Sequence, residues 1–60
     1  MVLSKLKEAM EVKKVTETEL AAKVMLTTRS IQNAMNKKGV TLNTAKRIAS
    51  GMRINLEQLI

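Results

Sequence analysis

The sequence holds no phenylalanine, tyrosine or tryptophan, so its core must be built from aliphatic side chains and methionine. With 60 residues the chain makes one small domain, of a size that buries only about 60% of the surface its unfolded form exposes. Hydrophobic residues supply 45% of it, enough for one compact core and not for two. There is no proline, and the only glycines are Gly39 and Gly51. Alanine, leucine, lysine, glutamate and methionine dominate, all good helix formers. Alternation of apolar and polar residues nowhere persists long enough for a sheet. The expectation is an all-α domain over residues 1–60, with helix ends set by caps.

Five segments carry that reading. Leu3, Leu6 and Met10, with Ala9, share one face of a first helix over about Leu3 to Lys13. Thr16-Glu17-Thr18-Glu19 reads as a capping box with Thr16 at N-cap and Glu19 at N3. The helix it opens runs to Val24 along a stripe of Leu20, Ala21 and Val24. Thr27 is the next N-cap, for a helix from Thr28 to about Asn36 that buries Ile31, Ala34 and Met35. Thr41 caps a fourth, from Leu42 to about Met52, with Leu42, Ala45, Ile48, Ala49 and Met52 inward and Lys46 and Arg47 exposed. Asn55 caps a short fifth helix, Leu56 to Ile60. Met10, Met35 and Met52 stand in for the missing aromatics, and Met25 plugs a turn. Short connections throughout suit a compact orthogonal bundle.

Composition also excludes chemistry. Cysteine and histidine are absent, which removes a disulfide framework and the usual zinc and transition-metal ligands. Aspartate and tyrosine are absent too, so most acid–base and nucleophilic constellations cannot be assembled. The serines have no base of the histidine type. An enzyme is not expected, nor a cofactor. The formal net charge is +6, which points to a polyanionic partner. Its distribution is polarised: Glu8, Glu11, Glu17 and Glu19 lie early, and no acid stands between Leu20 and Leu56. That stretch carries Lys23, Arg29, Lys37, Lys38, Lys46, Arg47 and Arg53. No apolar run is long enough to span a bilayer, and the start of the chain lacks a signal stretch. The expected location is cytoplasmic.

Residues 16–36 have the spacing of a helix-turn-helix, with small Ala21 where the two helices must cross. The face of the second helix opposite Ile31 carries Thr28, Arg29, Gln32 and Asn33, side chains suited to hydrogen-bonding base edges in a major groove. The segment Thr-Glu-Thr-Glu-Leu-Ala-Ala-Lys-Val, followed by Thr-Thr-Arg-Ser-Ile-Gln-Asn, resembles the phage Cro/CI repressor family, also called XRE-type or lambda-repressor-like. Leu6-Lys7-Glu8 resembles its first-helix opening and Thr41 to Ile60 its closing pair of helices, so the resemblance covers nearly the whole chain.

The resemblance implies a five-helix domain that binds a two-fold symmetric operator as a homodimer, one that forms on the DNA if the free interface is small. By position, Thr28, Arg29, Gln32 and Asn33 match the family's base-reading residues. Thr27 and Ser30 match positions near phosphates, and Asn36, Lys37 and Lys38 match the backbone-contacting helix end and loop. The apolar C-terminal residues Ile54, Leu56, Leu59 and Ile60 match the region near the two-fold axis. A Cro-like repressor, free of any small-molecule effector and nucleoid-associated in a bacterial host, is the function implied; a phage or mobile element is its natural source.

The chain departs from the pattern at four places. Met25 and Arg53 stand where relatives carry glycine, and a left-handed backbone there costs a non-glycine residue about 1 kcal/mol or more. Glu17 replaces a phosphate-contacting glutamine and is expected to serve the helix dipole. Met10 and Met35 replace an arginine–carboxylate pair, an exchange that is often neutral or stabilising. Two other functions fit the same fold: an antitoxin that binds a toxin and its own promoter, and a protein-interaction module. A membrane-active cationic amphipath fits poorly, because it wants long helices and anchoring aromatics.

Overall fold

The computed structural model describes all 60 residues. It contains four α-helices, α1 (Leu6–Lys13), α2 (Glu17–Val24), α3 (Thr28–Met35) and α4 (Leu42–Met52), and then a 3-10 turn, Leu56–Gln58. Threonine starts three of them. Thr16 Oγ1 accepts from the Glu19 N–H and Glu19 Oε1 accepts from the Thr16 N–H, both at 3.1 Å, completing the capping box of α2. Thr27 Oγ1 accepts from Ser30 N–H at 3.2 Å and Thr41 Oγ1 from Thr44 N–H at 3.3 Å, capping α3 and α4.

Three helices end in the same way, and without glycine. Lys14, Met25 and Arg53 follow α1, α2 and α4 with left-handed backbones, at φ 56°, 59° and 58°. Each helix closes with a bond from the residue after the left-handed one to a carbonyl five residues back: Val15 N–H to Met10 at 3.0 Å, Leu26 N–H to Ala21 at 2.8 Å, and Ile54 N–H to Ala49 at 3.1 Å. These are Schellman closures, and in each the residue making the long bond is apolar and packs against the core. Burial of Val15, Leu26 and Ile54 offsets the cost of a side chain in the left-handed region. Met25 itself plugs nothing, because it is 84% exposed; Leu26, one residue on, turns inward in its place.

The core runs through all four α-helices and takes in Leu3 and Leu59 from the flanking segments. Leu3, Leu6, Leu20, Ile31, Ile48 and Leu59 are its largest fully buried side chains, and no polar or charged residue is buried. Helix α2 sits at the centre, packed on both α3 and α4, while α1 packs on α3 and the 3-10 turn on α4. Gly51 makes the α2–α4 approach possible, since a Cβ there would overlap Val24 Cγ1. Gly39, at φ 69°, is needed twice over: its backbone is left-handed, and a Cβ would stand 2.5 Å from the Met1 carbonyl oxygen. That contact belongs to a seam in which Met1 accepts from the Val40 N–H at 2.7 Å and the Leu3 N–H donates to Ala34 at 2.7 Å.

Several expectations change. The first helix begins at Leu6 and not Leu3: the Leu6 N–H closes a turn on the Leu3 carbonyl at 3.0 Å, the helical bonds start with Ala9 N–H to Lys5 at 3.0 Å, and the N–H groups of Leu3 and Lys5 go to tertiary bonds with Ala34 and Leu59 (2.7 and 2.9 Å). Leu3 is nevertheless fully buried. The helix expected over Leu56 to Ile60 is a 3-10 turn closed by Leu59 N–H to Leu56 at 2.9 Å, so the bundle has four α-helices and not five. Leu59 is fully buried in the monomer core; it is therefore not available to a dimer surface. Leu42, expected inward, is half-exposed at the open end of α4, and Met35 is only partly buried. No helix is long and apolar enough to cross a membrane.

Candidate nucleic-acid interface

The outward face of α3 follows from its own periodicity. Ile31 and Ala34 are fully buried, with Met35 beside them. Positions 29, 32 and 33 therefore fall on the opposite side of a 3.6-residue repeat, with Thr28 at the exposed first turn and Asn36 at the C-cap beyond them. Thr28, Arg29 and Gln32 are exposed there and Asn33 is half-buried. With Asn36, these positions carry a guanidinium, three amides and a hydroxyl, and α3 contributes neither a carboxylate nor a large apolar side chain to them.

Two local devices hold the ends of this face. At its start, Thr27 Oγ1 and Ser30 Oγ lie 3.2 Å apart, while Thr27 also caps the helix through the Ser30 N–H. Both hydroxyls are thus fixed at the N-terminus of α3, where backbone N–H groups and the helix dipole favour an anion. At its end, Asn36 Oδ1 accepts from the Lys38 N–H at 2.8 Å. This side-chain turn leaves the Asn36 NH2 as a donor and orders the exposed Lys37–Lys38 pair before Gly39. The structure therefore gathers all nine residues singled out in the sequence, Thr27 to Asn33 without Ile31 and Asn36 to Lys38, on or beside one helix.

Three arrangements were not foreseen. Gln32 Nε2 donates to Glu17 Oε1 at 3.1 Å, tying the first turn of α2 to the middle of the α3 face. Glu17 thus does more than serve the dipole of α2. Arg47, read as a free surface cation, donates from Nη2 to the Val24 carbonyl at 2.8 Å and so caps the C-terminus of α2 from α4. With Lys23 and Lys46 it borders a shallow groove that also includes Met25, Ser50 and Gly51. This second cationic surface lies on α2 and α4 rather than α3. Both pairings join residues far apart in the chain, so no local spacing signals them.

Of the C-terminal residues assigned to a dimer, Ile60 is half-exposed, while Ile54 and Leu56 are partly buried against the core. Ile54 also lines a shallow groove with Ala9 and Val12 of α1, rimmed by Lys5, Glu8, Lys13 and Gln58. Searches of family models, curated proteins and solved structures found no match to this chain.

Proposed function

We propose that this protein is a sequence-specific double-stranded DNA-binding regulator that reads the major groove with α3. The observation that carries the reading is the α3 face itself: its own side chains are polar and include no carboxylate, it is anchored by the Thr27–Ser30 pair and followed by the ordered Lys37–Lys38 turn, and the one carboxylate that meets it, Glu17 of α2, is engaged by Gln32. In this reading α2 and α3 form a helix-turn-helix. Arg29 donates in a fork to guanine O6 and N7, Gln32 and Asn33 meet base edges, and Thr28 contacts a base or its methyl group. Thr27, Ser30, Asn36, Lys37 and Lys38 hold phosphates and set register without reading sequence.

The resemblance to the Cro/CI family gives the reading its specific form, and the left-handed backbones at Met25 and Arg53 are compatible with the glycines its members carry there. A Cro-like repressor acting as a two-fold dimer is the specific form proposed. With Leu59 in the core, Leu56 and Ile60 remain the apolar residues for the dimer contact, with Ile54 at its edge. Selection of bound sequences from random duplex DNA tests the proposal. It predicts a two-fold symmetric consensus; failure to enrich any sequence refutes it.

A further inference from the structure

Gln32 is the one proposed base reader whose orientation the protein itself fixes. Its Nε2 donates to Glu17 Oε1 at 3.1 Å. Glu17 is half-buried at the start of α2, where negative charge suits the helix dipole. A carboxylate only accepts, whereas a glutamine amide has an accepting end and a donating end. Glu17 therefore engages the nitrogen end and disfavours the flipped amide. A free glutamine can present its donor and acceptor in either order; this one cannot do so without losing its partner. Gln32 keeps its carbonyl oxygen and one N–H for a ligand.

In the major groove, adenine offers a donor at N6 beside an acceptor at N7, and cytosine offers a donor at N4. Guanine offers two acceptors, and thymine an acceptor and a methyl group. An amide that leads with its oxygen needs a base with an exocyclic amine. We propose that Glu17 is a positioning residue that sets the base preference of Gln32, favouring adenine, which alone complements both remaining groups, over cytosine, and both over guanine and thymine. This rests on the DNA-binding reading above. A carboxylate beside this face has two effects on DNA binding: Glu17 lowers total affinity through its charge and raises selectivity by ordering Gln32.

Those two effects have opposite signs, which separates positioning from a structural role. In the free protein, Glu17→Ala should move the Gln32 side-chain NH2 resonances while leaving those of Asn43, on α4, in place. In random-duplex selection, the wild type should enrich one position per half-site for adenine, then cytosine, and Gln32→Ala should erase that preference. Glu17→Gln, whose amide tolerates either order, should lower the same preference by about fivefold or more and leave the other positions unchanged, while total affinity rises. A merely structural Glu17 would weaken all positions together. The proposal is overturned if the Gln32 resonances do not respond, if the preference survives Glu17→Gln, or if the position dependent on Gln32 selects guanine or thymine; in each case a wild-type consensus would leave the DNA-binding reading standing. A wild type that enriches nothing overturns both.

Discussion

Replacing Met25 by glycine should stabilise the protein, although it deletes a large apolar side chain. The side chain is 84% exposed, so its removal forfeits little buried area. Its backbone sits at φ 59°, ψ 42°, where a Cβ costs about 1–2 kcal/mol. The greater freedom of glycine in the unfolded chain takes back about 0.5–1 kcal/mol. The net gain is about 0.5–1 kcal/mol, which for a domain this small raises the melting temperature by about 2–8 °C. Thermal unfolding followed by far-ultraviolet circular dichroism measures it, with Met25→Ala as the control that shortens the side chain and keeps the strain. A glycine variant that melts at or below the wild-type temperature, with helicity unchanged, would show that the Leu26 closure of α2 does not need a left-handed residue and would refute the argument.

Gly51→Ala should act in the other direction: a gain of about 1 kcal/mol in helix propensity is outweighed by overlap with the stiff, buried Val24, leaving a net loss of about 1–2 kcal/mol in urea unfolding. Leu59→Ala should cost about 2–5 kcal/mol of stability as a core truncation, whereas Ile60→Lys should leave the fold intact and weaken binding to a full operator more than to a half-site. Replacing both Lys37 and Lys38 by alanine should reduce the slope of log affinity against log salt by about 1.8, at about 0.9 per phosphate contact, with the selected sequence unchanged.

Much of the architecture is legible from local chemistry. The threonine caps fix the starts of α2, α3 and α4, because a hydroxyl bond to the third N–H onward is encoded within four residues. The polar face of α3 is legible because Ile31, Ala34 and Met35 set its phase. The helix ends are harder to read. The usual stop signal is glycine at the left-handed position, and here lysine, methionine and arginine occupy it. The surviving signal is the apolar residue that follows, Val15, Leu26 or Ile54, which reads equally well as part of a turn. The C-terminus was misjudged because Leu59 and Ile60 look alike in sequence. Only the Lys5 N–H bond to the Leu59 carbonyl, 2.9 Å long, and closure of the core over Leu3 distinguish the buried one. The exposure of the α3 side chains is legible from the helical phase, but the partners of Gln32 and Arg47 are not, since both lie more than ten residues away.

The central claim is that the outward face of α3, and not the second cationic surface on α2 and α4, receives DNA. Backbone amide chemical-shift mapping during titration with a short duplex tests this directly, because phosphate contacts form even on sequences the protein does not prefer. The account predicts that the largest perturbations fall on residues 27–38 and on Glu17, weakening as salt rises. Perturbations centred on Lys23, Lys46 and Arg47, with the α3 face silent, would contradict it.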